Sequence, residues 1–509
     1  MLSEINKTEQ LGLQSDINKF IAGEISATDL KHTSAPFGIY QQKNGKFMVR
    51  IRITGGLLSL KQMQAISEIL NDEFGIGFAH LTTRQNIQLH DVPVESIYGI
   101  VEKAVELGLI FRGGGGNTYR NIMVSPEGAF SDKSVFNVQP YAAEIQNFVY
   151  SYDKAYALPR KLKISISCND DDSALATIQD LGFIATIQNG VKGFKVFVAG
   201  GMGRKSTVGV KLIDFLPATD ILKVVAGVIE LFYDHGNRKN RNLARLRFLR
   251  EKIGNEAFAE LFADYVSKVT DYPKVDISAD EQHIVDFGSA EIIHSDAFKL
   301  WQIRVASNTQ LKETVSVELF VPNGNFSPEQ FAELTAQFTK YNNPALQLTA
   351  TQNLIIPFVK AESLSGLYNV LNDYSINLKG ESFNGLIQSC IGSTFCKIGI
   401  LNTPYYAEKA SVALDNYFAD KAEKQAVEFK EIINSIKLSG CPNSCGAHLS
   451  AKLGFQGMKK KIDDVLTDVF FISEGAKINA DETKLAEQQA DFIKADLIAD
   501  SITSWLNKR

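Results

Sequence analysis

One stretch of this chain is written twice, and that repeat limits the fold more than any other feature. "FMVRIRITGGLLSLKQMQAISEIL" followed by "LTTRQNIQLHDVPVESIYGIV" returns later as "VSVELFVPNGNFSPEQFAELTAQF" and "LTATQNLIIPFVKAESLSGLYNVL". Gly56 matches Gly324, and Gln85-Asn86 matches Gln352-Asn353. Each copy opens on apolar and β-branched residues, breaks at a Gly/Asn turn and continues with a helical apolar period. A second strand carrying Thr-x-x-Gln-Asn follows, then another helix. A unit of roughly 65 residues is far longer than a solenoid repeat, so the pattern predicts duplication of a whole domain.

Each copy is followed by a longer α/β stretch, at roughly 110–290 and 375–509. The first holds strand patterns such as "KLKISISC" and "FKVFVAG" and the helix pattern "TDILKVVAGVIELFYDHG". Residues 131–145 and 271–283 are polar and read as connectors. With 509 residues the chain is too long for one core. The expectation is an α+β protein with pseudo-two-fold, duplicated architecture.

No stretch approaches the ~20 apolar residues of a membrane helix, and the polar start "MLSEINKTEQLGLQSDINKF" has no signal core. These features predict a cytoplasmic protein. A net charge of −5 argues against a general nucleic-acid binder but leaves room for a local cationic pocket.

Five cysteines do not make a disulfide framework. Cys168 stands alone, whereas Cys390, Cys396, Cys441 and Cys445 cluster as "CIGSTFC" and "CPNSC". Four soft thiolates in two pairs suit an iron–sulfur cluster or zinc. Zinc loops space their ligands by two to four residues, which Cys441 and Cys445 meet and Cys390 and Cys396 exceed. A [4Fe–4S] cubane tolerates the wider loop. Spacing alone leaves the cluster, zinc and inert buried thiols all open.

Cys-x5-Cys followed by Gly-Cys-Pro-x-x-Cys-Gly resembles the signature of the assimilatory sulfite and nitrite reductases. "FMVRIRITGG" and "LTTRQNIQLHDV" are similar to that family's first ferredoxin-like half-domain. "NTYRN", "LPRKLK" and "FVAGGMG" resemble its Asn/Arg, substrate-lysine and glycine-turn elements, in the family's order over roughly 40–460. The resemblance implies two ferredoxin-like half-domains and two larger α/β domains that hold sirohaem and a [4Fe–4S] cluster. On that reading 1–35 is an N-terminal arm, 36–108 the first half-domain, and 109–290 a sirohaem domain with substrate lysines. Residues 291–372 form the second half-domain, and 373–509 the domain of the cluster.

The resemblance also assigns residues. Cys390, Cys396, Cys441 and Cys445 would ligate the cluster, with Cys445 bridging to the sirohaem iron, and Asn443 would touch the sirohaem. Arg84, Arg120, Lys161 and Lys163 would line the substrate side, and Arg160, Arg50 and Arg52 would bind the cofactor, the last two at haem carboxylates. Strand alternation sets Lys161 and Lys163 on one face, although surface strands commonly carry lysine. Arg84 has Thr351 as its partner in the second copy, so that cation survives in one half only.

The implied activity is six-electron reduction of sulfite to sulfide. No flavin or nicotinamide fingerprint is present, so electrons would come from a ferredoxin or a flavoprotein subunit. Reduction of nitrite to ammonia is the alternative, and a non-catalytic iron–sulfur or zinc protein the second. "LPRKLK" ends in Lys163, the form of sulfite reductases, where plant-type nitrite reductases resemble one another in ending on Asn; Ile87 stands where those tend to have Trp. Against this, "NTYRNIMVSP" lacks the Gly-Cys-Pro that many relatives carry after Arg-Asn.

Two further motifs remain. "VFVAGGMGRKST" misses the phosphate-loop pattern because Arg204, not Gly, precedes Lys205. "GNRKNRNLARLRFLREKIG" at 236–254 is basic on a helical period, which suggests contact with cofactor carboxylates or an acidic donor.

Overall fold

The structure, a computed structural model, describes residues 2–277, 282–288 and 295–509, and side chains from residue 11 onward. The expected boundary at 290–291 lies outside the described residues. Among the described residues the strands form four five-stranded sheets, related in pairs by the repeat.

The two smaller sheets are antiparallel and exchange an edge. The first runs Tyr40–Gln41, Phe47–Ile51, Ile87–Val92, Phe78–Leu81, and is completed by Asn325–Phe326 from the second copy. The second runs Ala306–Asn308, Thr314–Leu319, Leu354–Lys360, Ala345–Leu348, and is completed by Leu57–Ser59 from the first. Asn325 pairs with His80, and Leu57 with Gln347. Neither copy closes its sheet alone, so the two fold as one body.

The repeated letters explain the repeated geometry. Ser59 and Gln62 form a capping box that starts the helix Leu60–Leu70, and Ser327 and Gln330 do the same for Pro328–Lys340. In each Thr-x-x-Gln-Asn turn the Asn backbone N–H donates to the Thr hydroxyl, at 3.0 Å from Asn86 to Thr82 and 2.9 Å from Asn353 to Thr349. The glutamines reach across the pseudo-dyad. Gln85 Nε2 donates to Leu348 O at 3.0 Å, and Gln352 Nε2 donates to Leu81 O at 3.1 Å.

Each larger sheet has two parallel pairings, then two antiparallel ones. The first orders Met123–Val124, Ile164–Ser167, Leu181–Gln188, Val191–Val198 and Val210–Pro217. The second orders Gln388–Ser389, Ile436–Ser439, Leu453–Ile462, Val465–Glu474 and Glu487–Lys494. The apolar helix Ile221–His235 is buried over most of its length against the first. A second apolar core runs through both small sheets into the second large one.

The basic run at 236–254 is not one helix. A short turn at Arg241–Leu243 precedes a helix of Leu246–Ile253 alone. Asn237 and Asn240 side-chain oxygens accept the N–H groups of Lys239 and Asn242, so local side-chain bonds displace helical ones. The glycine turn after Val191–Val198 leads into the strand Val210–Pro217 rather than a helix, so it lacks the context of a phosphate loop. No helix among the described residues is long and apolar enough to cross a membrane.

Candidate active site

The four clustered cysteines come from two adjacent strand ends. Cys390 follows Gln388–Ser389, Cys396 ends the short helix Gly392–Phe395, and Cys441 and Cys445 lie in the loop after Ile436–Ser439. Gly440 N–H donates to Cys390 Sγ at 3.2 Å, and Asn443 Nδ2 donates to Cys441 Sγ at 3.5 Å. Burial pushes the Cys390, Cys396 and Cys441 thiols up, and each also feels Cys445. Gly446 permits the tight loop: a Cβ there would stand 1.9 Å from Leu438 O. Among the described residues no three His, Cys, Asp or Glu side chains converge closely enough for a single metal ion. The four thiols lie near enough to act on one another electrostatically.

The equivalent loop of the first large sheet keeps the backbone and changes the chemistry. Gly446 N–H donates to Ser439 Oγ at 3.1 Å, as Ala174 N–H does to Ser167 Oγ at 3.2 Å. Cys168 N–H donates to Ser125 Oγ at 3.0 Å, in the manner of Gly440 to Cys390. Ser173 takes the place of Cys445 and donates to Ser125 Oγ at 2.7 Å. Two of the thiols, Cys390 and Cys445, are replaced in the other half by the hydroxyls of Ser125 and Ser173. Cys168 is buried there, its thiol pushed up to about 12 by burial and then by Glu127.

Cations gather in front of the thiol loop. The turn that carries Arg84 touches it directly, with Thr83 Oγ1 donating to Cys445 O at 3.0 Å. Arg84 donates to Ile164 O at 2.8 Å and Gln179 Oε1 at 3.2 Å, and its Nε is buried with no partner. Burial, then Arg245 and Arg52, lower Arg84 to about 9 against the pull of Asp180. Lys161 and Lys163 flank the fully buried Leu162 on an extended run, so both point away from the core. Burial first, then neighbouring cations, lower Lys161 to about 7 and Lys163 well below its usual value. The Cys445 thiolate acts on both lysines in the opposite sense. Second-half thiol and first-half ammonium groups therefore share one cleft.

Arg120 is held by the "GGGG" turn, donating to Gly115 O at 2.9 Å and Gly116 O at 2.7 Å. Arg50 donates to Gly114 O at 2.5 Å on the same turn. Burial lowers Arg120 to about 9, and lowers Arg50 and Arg160 from their ordinary values. Arg52 is placed differently from the rest. It is 1% exposed, donates to Arg112 O at 2.8 Å and Gln146 Oε1 at 2.6 Å, and stacks over Tyr119. Its guanidinium is a strut between elements and has no open face toward the cleft.

Asp180, Arg245 and Arg247 belong to the site and carry no motif of their own. Asp180 is fully buried and accepts from Arg245 Nε at 3.1 Å, Arg245 Nη2 at 2.7 Å and Lys163 N–H at 2.8 Å. Arg247 Nε and Nη1 are buried without partners. The basic run was the sequence signal for both arginines; Asp180 had none.

Comparison with known proteins supplies the family. Residues 115–269 match the nitrite and sulphite reductase 4Fe-4S domain, and 40–107 with 308–374 match the nitrite/sulfite reductase ferredoxin-like half domain. The chain belongs to the nitrite and sulfite reductase family. Its assimilatory ferredoxin-dependent nitrite reductase relative from Haloferax mediterranei is 27% identical, over 92% of this chain and 80% of the relative. The ferredoxin–nitrite reductase of Synechococcus elongatus is 26% identical, over 99% and 97%. The sulfite reductase [NADPH] hemoprotein beta-component of Shewanella halifaxensis is 26% identical, over 87% and 83%. The Mycobacterium tuberculosis NirA protein shares the fold at a TM-score of 0.81, over 98% of this chain and 91% of that one, with 22% identity.

The cofactors of this reductase family are a sirohaem and a [4Fe–4S] cluster. The four thiols fit the cluster. The cations fit a polycarboxylate: they depress one another, Asp180 is a carboxylate bonded among them, and two buried Arg247 nitrogens lack acceptors. The 4Fe-4S domain match covers Cys168 alone of the five cysteines, because it lies on the first large sheet while the thiol loop lies on its duplicate.

Proposed function

We propose that this reductase converts sulfite to sulfide, accepting six electrons from a separate donor protein, with ferredoxin the class that the names of two relatives favour. The observation that carries the choice is the pair Lys161 and Lys163, side by side with Arg84 and Arg120. A doubly charged, three-oxygen anion matches several cations, and its charge favours the ammonium form of both lysines against the burial that lowers them. When bound, sirohaem and the cluster supply the electrons. Cys390, Cys396, Cys441 and Cys445 would hold the cluster, with Cys445 also facing the sirohaem beside Asn443; Arg50 and Arg160 would meet its carboxylates.

The chain's own groups do the rest. Arg84 and Arg120 neutralise the anion and stabilise charge left on oxygen as S–O bonds break. Lys161, lowered to about 7, exchanges its proton near neutral pH. It takes one up as the anion enters and delivers it from Nζ to a departing oxygen.

Nitrite reduction to ammonia is the second reading, supported by nitrite reductases that match almost the whole chain. Turnover of sulfite and nitrite side by side, with one artificial reductant, tests the choice. A higher kcat/KM on sulfite is expected; a higher value on nitrite reverses the assignment.

A further inference from the structure

The glycine turn that holds Arg120 is gripped from its other side by a residue outside every motif. Tyr40 lies on the short edge strand Tyr40–Gln41, paired with Met48. Its hydroxyl accepts the N–H of Gly116 at 2.8 Å, while Gly116 O accepts from Arg120 Nη2 at 2.7 Å. Gly115 must be glycine for this approach, since a Cβ there would stand 2.3 Å from the Tyr40 hydroxyl. The phenol oxygen thus takes one hydrogen bond, and no acceptor is recorded for its own proton among the described residues.

The surroundings of that proton are cationic. Arg50 donates to Gly114 O on the same turn, and Arg50, Arg120 and Arg160 all lie within electrostatic range of Tyr40. Among the described residues no Asp or Glu is a leading influence on these three arginines. A phenolic hydroxyl set among guanidinium groups, with no carboxylate bonded to it among the described residues, is suited to an oxyanion from outside the chain. The repeat supports a dedicated role. Ser307, paired with Ser316, takes the place of Tyr40 in the second copy, where Thr351 takes the place of Arg84.

We propose that Tyr40 is an additional oxyanion donor of the cleft, giving its phenolic hydrogen to an oxygen held beside Arg120. The oxygen belongs either to a tetrapyrrole carboxylate or to the substrate anion; the chemistry is the same. This deepens the function proposed above and rests on it for the identity of the anion. No bond to the anion forms or breaks at Tyr40, which binds and orients.

The test uses Tyr40→Phe, which keeps the ring, and Tyr40→Ser, which copies the second half and withdraws the hydroxyl. Both are purified as holoenzyme and read without turnover, by sirohaem and iron content per chain and by visible titration of the loaded fraction with sulfite and with nitrite. Loss of a hydrogen bond to a charged group is expected to weaken binding about tenfold or more. If the oxygen is the substrate's, sirohaem content holds and the anion dissociation constant rises. If it is a carboxylate's, sirohaem content falls and the loaded fraction binds anion normally. Wild-type values on both arms in either variant would overturn the proposal. So would a loss on both arms with a matching fall in melting temperature, because that marks a purely structural hydroxyl. If both variants weaken sulfite binding but the wild type reduces no sulfite, the proposed reaction fails and Tyr40 stands.

Discussion

Arg84 and Thr351 hold equivalent places in the repeat, and only the arginine half has a cation beside the Cys445 loop. Arg84→Thr copies the silent half. It should lower kcat/KM by about 10²-fold while iron and sirohaem content stay near wild type, since a close charge-assisted contact is worth about 2–4 kcal/mol; unchanged kinetics would remove Arg84 from the site. The cysteines divide the same way. Cys445→Ser should cost more activity than any other single cysteine change and lower iron content, whereas Cys168→Ser, in a hydroxyl-lined counterpart loop, should leave both cofactors in place. Loss of the cluster in the Cys168 variant would refute the ligand assignment. Arg84, Arg120, Lys161 and Lys163 are assigned through the family resemblance of the short motifs that carry them. Tyr40 and Asp180 could not be assigned so, since each acts alone through contacts with residues far along the chain.

At the scale of elements, the Thr-x-x-Gln-Asn turns join the halves. Gln85 Nε2 donates to both Val124 O and Leu348 O. Gln85→Leu leaves two buried carbonyl groups without that donor, and should destabilise the protein by about 2–4 kcal/mol in urea unfolding, with Gln352→Leu acting in the same direction. A change under about 0.5 kcal/mol would mean that the cross-dyad bonds are incidental. The sequence showed these turns as a repeat but not the strand exchange. Leu57–Ser59 and Asn325–Phe326 are too short to register as strands, and their partners lie in the opposite copy. The basic run misled for a related reason: its period was helical, yet Asn237 and Asn240 bond to local backbone and hold its first part out of the helix. Arg52 shares the alternation of Arg50 and still ends buried, because Gln146 and the Arg112 carbonyl take its donors.

Across the whole molecule, duplication has given two scaffolds, with the four clustered thiols in the second half and the cations near them in the first. Lys161 and Lys163 correspond to Ile433 and Ser435, as the matching registers at Ile164 and Ile436 show. The interlocked small sheets also bury histidines. Burial lowers His80 to about 4, and lowers His90 well below its ordinary value. Both titrate near 6.5 in an unfolded chain, so below that pH the unfolded state binds protons that the native state refuses. Stability should therefore fall as pH drops from about 6.5 toward about 4, by on the order of 3 kcal/mol from His80 alone. His80→Gln should flatten the change in urea midpoint between pH 7 and pH 5, and an undiminished slope would assign it to other groups. The claim that the charge of one cleft selects the anion is reached most directly through Lys163, whose place in the silent half is the neutral Ser435. The deciding measurement is kcat/KM of Lys163→Asn on sulfite and on nitrite with the same reductant. A loss on sulfite at least tenfold greater than the loss on nitrite is the predicted result; equal losses on both anions would contradict the account.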